Sequence, residues 1–168
     1  MDLRLRPLTR GDENEARAAH GELSGENFTF LLDWEPEQPW QRYLDLLDGR
    51  RRGLSVPADR VPASFLVAEV EGELVGRSSI RHALNDGLAA AGGHIGYAVR
   101  PAHRRRGFAT EILRQSLIIA RAEGVERVLV VCDEDNLGSA AVIERLGGAF
   151  EDVRLNEHGD PVRRYWIE

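Results

Sequence analysis

Between positions 92 and 117 the chain reads GGHIGYAVRPAHRRRGFATEILRQSL, and this stretch holds the groups best suited to bind an anion. Arg100, Arg104, Arg105 and Arg106 crowd a short turn that contains Pro101 and ends at Gly107. Residues 94–99 read as a strand. From about Arg106 the spacing of Ile112, Leu113, Leu117 and Ala120 predicts one apolar face of a helix. The first N–H groups of a helix have no intrahelical partner, and the macrodipole adds partial positive charge there. A glycine at the turn lets backbone approach a ligand that a Cβ would obstruct. Strand, glycine turn and helix start together point to a pyrophosphate. The alternative is a solvated basic turn.

The run Arg104-Arg105-Arg106-Gly107-Phe108-Ala109 resembles the Q/R-x-x-G-x-G/A signature of the GNAT N-acetyltransferase superfamily, where it binds the pyrophosphate of acetyl-CoA. The similarity continues through Asn136 and covers residues 64–168 well. The wording GGHIGYAVRP, with IRH upstream and RYWI at the end, is similar to a bacterial subgroup of predicted acetyltransferases.

The resemblance implies roles for several residues. Residues 104–110, including Phe108, Ala109 and Thr110, would hold the pyrophosphate. The Val99 backbone would pair with the pantetheine arm between splayed central strands. Asn136 would lie near CoA, or would simply cap a helix. Direct transfer from acetyl-CoA to a primary amine needs a proton acceptor, a donor to the thioester oxygen and a proton for the departing thiolate. A backbone N–H near Tyr97 is the implied oxygen donor, and Tyr97 itself is either acid or pocket wall. Many family members carry a tyrosine acid seven residues after the asparagine, but this chain has Ile143 there. Ser139, in the first turn of the following helix, or an ordered water is the substitute. The family position for a basic carboxylate holds Gly92, Gly93 and His94. His94, with an ordinary pKa of about 6.5, is therefore the candidate base, His82 on the neighbouring strand a second, and a structural hydrogen bond the alternative for both.

Asp12, Glu13, Glu15, Glu22, Glu26, Asp33, Glu35 and Glu37 stand against Arg17 in residues 11–37, which by resemblance border the acceptor groove. They are either a solvated face or a lip that attracts a cationic amine. An acyl-CoA-binding regulatory module without catalysis is the rival function, favoured by the missing tyrosine and carboxylate. A bulkier acyl group is a further variant. Family precedent also raises a homodimer.

The 168 residues suffice for a sizeable core and are read as one domain spanning 1–168. Hydrophobic content of 42% and charged content of 30% fit a soluble globular protein. A net charge of −6 argues against nucleic-acid partners. One cysteine, Cys132, allows no internal disulfide and reads as a small core residue in a reducing cytoplasm. No signal peptide or membrane span is expected. Walker A, G-x-S-x-G and H-E-x-x-H patterns are absent, and the histidines lack metal-ligand spacing, so no metal is expected.

The elements that position these residues follow from pattern. Leu3 and Leu5 alternate with arginines in a first strand. Thr9 and Asp12 can cap a helix to about Leu23. Pro39 starts a second helix. Residues 64–70 and 74–84 form a hairpin around Glu71-Gly72, and 85–93 form a loop. A buried strand covers 127–132, a short helix 139–146, and a final hairpin 149–155 and 162–167. This order predicts an α/β (α+β) fold with a mixed, mostly antiparallel central sheet flanked by helices.

Overall fold

The computed structural model describes residues 2–168. Its strands are β1 (Leu3–Arg6), β2 (Ala63–Val70), β3 (Glu73–Arg81), β4 (Ile95–Val99), β5 (Val128–Asp133), β6 (Ala149–Leu155) and β7 (Pro161–Ile167). Its helices are α1 (Glu13–Ser24), α2 (Trp40–Arg51), α3 (Phe108–Ala122) and α4 (Leu137–Arg145). The strands form one sheet in the order β1-β2-β3-β4-β5-β7-β6. Every neighbouring pair is antiparallel except β4 and β5, which run parallel.

Strand alternation assigns the two faces. Leu66, Ile80 and Ile95 turn towards α3 and α4, where they meet Leu113, Leu117, Ala140 and Ile143. Phe65 and Val67 turn the other way, to Ala16, Ala19 and Leu23 of α1 and Tyr43 of α2, and a register shift at Ala68/Glu69 turns Leu74 to the same side. Arg77, Ser79 and Arg81 share that second face by the same alternation. The α3 stripe predicted from Ile112, Leu113, Leu117 and Ala120 is buried as expected. Ser116 lies in the same stripe. Its hydroxyl pairs with Ser78 of β3 at 2.7 Å and donates to the Ile112 carbonyl, so no polar group is left unmet.

Several boundaries differ from expectation, each for a local reason. β3 ends at Arg81 because Pro62, which stands opposite His82, accepts the His82 N–H but has no N–H of its own to continue the ladder. In place of an irregular loop, residues Leu88–Gly92 make a π turn, entered through an Asn85 Oδ1 bond to the Leu88 N–H. α4 starts at Leu137 because Asn136 Oδ1 accepts the Ser139 N–H as an N-cap.

β4 and β5 stay in register at one position, Ile95 opposite Val130, and part beyond it. The Arg100 N–H bonds to Val75 on β3, so alternation turns the Tyr97 and Val99 backbone groups towards the opening between β4 and β5. The expected splay of the central strands is present.

Candidate active site

The turn between β4 and α3 is the first part of the site. Arg105 has φ of 63° and Gly107 φ of 82°, both in the left-handed region. Alternating left- and right-handed residues aim successive N–H groups at one point, which makes a concave anion nest. Among the described residues, no protein acceptor meets the N–H groups of Arg105, Arg106, Gly107, Phe108, Ala109 and Thr110. The first intrahelical bond here runs from Glu111 back to Gly107. Those donors require an external partner, and an anion at a helix start fits them.

The side chains around this turn divide the work differently from the sequence expectation. Arg100 is committed to Glu15 at 3.0 Å and Glu22 at 2.7 Å. Arg104 pairs with Glu26 at 2.5 Å and donates through Nε to the Val99 carbonyl at 3.1 Å. Arg104 therefore fastens the turn to the segment just after α1 and to β4, and its charge is already met. Phe108 points into the core with Leu3, Ala68 and Ile112, so only its backbone N–H can reach an anion. The Arg106 guanidinium lies 5.0 Å from the Phe108 ring centre, and Arg105 is exposed. These two are the arginines left to serve the nest.

The second part lies where β5 gives way to α4. Tyr97 Oη is 2.8 Å from Ser139 Oγ, which joins the opened strand to the first turn of the helix. Burial pushes the Tyr97 hydroxyl up to about 12, against a smaller opposing effect of its Ser139 hydrogen bond. Tyr97 therefore keeps its proton at neutral pH. Cys132 borders the pair, and burial pushes its thiol up as well, which suits a packing residue better than a nucleophile. Asn136 spends Oδ1 on the cap, leaving Nδ2 for any ligand. Ile143 is fully buried in the core and offers no proton at the usual tyrosine position.

His94 takes a different place from the expected base. It is buried, and its Nδ1 accepts the Leu129 N–H at 2.9 Å. A neutral ring that accepts at Nδ1 carries its proton on Nε2, so neither nitrogen offers a free lone pair. Burial, then the nearby Arg81, hold its pKa below the ordinary value. The ring joins β4 to β5 just before the strands part. His82 bonds Ser64 Oγ through Nε2 at 2.9 Å and lies beside Glu123, the residue that follows α3, on the opposite face of the sheet from α1 and α2.

A cavity of about 780 Å³ opens on that α1/α2 side. Ala63, Phe65, Ser79 and Arg81 form its sheet wall, with Leu88 and Gly92 from the π turn and Asn156 and Glu157 from the last hairpin. The expected acidic lip is mostly internally neutralised. Asp12 pairs with Arg6, Glu13 with Arg17, and Asp33 with Arg50 and Arg60, in addition to the Arg100 and Arg104 pairs. Among the described residues Glu35 and Glu37 have no ion pair, and they line a separate groove with Arg42 and Asp45. Arg77 and Arg81 were not anticipated as site residues. Arg77, Ser79 and Arg81 recur at every second position of the strand, but Ser78 between them blurs the alternation that could have marked them.

Residues 2–149 match the family model described as an acetyltransferase (GNAT) domain. The chain belongs to the GNAT acetyltransferase family. A stretch of 74 residues, 44% of this chain, is 39% identical to the uncharacterized N-acetyltransferase YjdG of Bacillus subtilis; the match spans 40% of that protein's length. The fold is similar to that of the ribosomal-protein-S5-alanine acetyltransferase of Vibrio fischeri, with a TM-score of 0.70 and 18% identity over 99% of this chain and 93% of that one. It is also similar to spermidine N-acetyltransferase of Vibrio cholerae in complex with CoA and spermine, with a TM-score of 0.67 and 18% identity over 98% and 94% of the two chains. No described helix is long and apolar enough to cross a membrane.

Proposed function

We propose that the protein transfers an acetyl group from acetyl-CoA to a primary amine by direct attack in a ternary complex. The observation that carries this reading is the run of partnerless N–H groups from Arg105 to Thr110 beside an opened β4–β5 edge. In it the nest holds the pyrophosphate, helped by Arg105 and Arg106. The Val99 N–H pairs with the pantetheine arm in the gap. The Tyr97 N–H faces the same gap and donates to the thioester oxygen as negative charge builds there.

The amine approaches from the cavity on the α1/α2 face. Its nitrogen bonds to the acetyl carbon, the carbon–sulfur bond breaks, and Ser139 Oγ delivers a proton to the sulfur. Tyr97, protonated and 2.8 Å away, positions and resupplies that hydroxyl. The amine's own proton leaves through water in the open cavity, since His94 is engaged with Leu129. Water that takes up the amine's proton returns one to Tyr97, so the bond formed, the bond broken and the protons balance.

A regulatory acyl-CoA-binding module is the second reading, favoured by the engaged His94 and the buried Ile143. Incubation with acetyl-CoA and a panel of primary amines separates the two. Thiol release that depends on the amine, with the acetylated amine as product, supports transfer. Tight CoA binding without amine-dependent thiol release supports the module.

A further inference from the structure

Arg81 is a cation without an anion. It stands at the end of β3, on the cavity wall, and no carboxylate among the described residues pairs with it. Among the described residues its guanidinium makes one hydrogen bond, a 3.5 Å contact from Nη1 to the Gly92 carbonyl, at the limit of such a bond. Burial, then Arg60, hold its pKa below the ordinary value, so the charge sits where water screens it poorly. The neighbouring arginine on this face, Arg77, is differently placed. Its guanidinium donates to the Gly96 carbonyl at 3.0 Å and the Thr29 carbonyl at 2.8 Å, and stacks near Phe28 and Phe65. Arg77 is built into the protein, whereas Arg81 is presented to the cavity.

Gly96 is what makes room for this. A Cβ at Gly96 would lie 3.4 Å from Arg81 Nη1 and 3.7 Å from Arg77 Nη1. The absent side chain lets the Arg81 fork rest over β4, the strand that borders the proposed thioester position. The other charged groups of the cavity do not neutralise it. Asp33 is held by Arg50 and Arg60. Asp59 and Glu157 line the cavity too, so it offers both signs of charge.

We infer that Arg81 binds a carboxylate on the acceptor, and that the acceptor is therefore an amine that also carries a carboxylate, as a free amino acid does. A guanidinium fork matches a carboxylate with two parallel hydrogen bonds, and in a half-buried site such a pair is strong and selective. Mixed charge in the cavity suits a zwitterion. A polyamine offers Arg81 only repulsion. The inference rests on the acetyl-transfer reading and narrows its substrate class.

The test compares kcat/KM for free α-amino acids with the amides of the same amino acids, using acetyl-CoA and the wild-type, Arg81→Lys and Arg81→Met proteins. The wild type should favour the free acid by about 10- to 100-fold, the range for a hydrogen bond to a charged group. Arg81→Met should bring that ratio close to unity. Arg81→Lys should retain part of it, keeping the charge but losing the fork. A wild-type preference for amides or for spermine, or an equal loss on acid and amide in Arg81→Met, overturns the inference. If Arg81→Met does not fold by circular dichroism, Arg81→Lys carries the test, and an unchanged ratio in it overturns the inference. Acetyl-CoA affinity measured in parallel keeps the two levels apart. Binding of acetyl-CoA with no acetylation of any acid defeats the inference while the CoA site stands. Absence of acetyl-CoA binding defeats the transfer reading itself.

Discussion

Tyr97 Oη and Ser139 Oγ, 42 residues apart in sequence, approach to 2.8 Å and close one side of the gap between β4 and β5. If this pair supplies the proton to the departing thiolate, Ser139→Ala should lower kcat by about 10²- to 10⁴-fold, the usual range for a lost general acid. Tyr97→Phe should lower it less, because Ser139 and water remain. Steady-state kinetics with one acetylated amine check both. Loss confined to the KM of acetyl-CoA would instead make the pair part of the binding wall.

His94 should behave as a structural residue. His94→Ala leaves the buried Leu129 N–H without its acceptor, which costs about 1–3 kcal/mol. Urea denaturation should show this loss. The acid limb of the pH–rate profile should persist in the variant. Its disappearance would restore His94 as the base and show that the bond to Leu129 breaks during turnover.

The ion pairs between α1 and the turn should make the protein sensitive to acid. The Arg100 guanidinium holds Glu22 below its ordinary 4.5, with burial opposing more weakly. A carboxyl depressed by folding adds stability above its unfolded pKa, and that stability is lost as pH falls through the folded pKa. The melting temperature should therefore drop as pH falls below Glu22's ordinary 4.5, and drop less in Glu22→Gln than in the wild type. Because Glu22 is partly exposed, the difference should shrink in high salt. Identical acid profiles for the two proteins would show that the pair contributes nothing.

The strand–turn–helix from His94 to Leu117 was legible in the sequence because its signals are local: a period-two strand, a turn glycine and an apolar stripe on α3. The Thr9/Asp12 cap is equally local, with the Thr9 N–H donating to Asp12 Oδ2 at 2.6 Å. What escaped depends on partners far along the chain. Arg104 and Glu26 lie 78 residues apart, so nothing in the RRRG run tells that its first arginine is already paired. His94 reads as a poised base until Leu129, 35 residues on, is seen to occupy its Nδ1. Asn136 was balanced between a cap and a ligand contact, and only the Ser139 N–H bond shows that it caps. Ser79 and Arg81 gain their meaning from the cavity that the π turn and the last hairpin help to wall, and those elements are distant in sequence.

The account turns on the nest at Gly107, and calorimetric titration of CoA into the wild-type and Gly107→Glu proteins tests it most directly. Gly107→Ala serves as the control, since it imposes the same left-handed backbone on a Cβ-bearing residue without bulk or charge. Gly107→Glu places a carboxylate against the phosphates. The account predicts measurable CoA binding in the wild type, retained in weakened form by Gly107→Ala, and none by Gly107→Glu while its circular dichroism spectrum stays native. Unchanged CoA affinity in Gly107→Glu would contradict the assignment of residues 105–110 to the pyrophosphate.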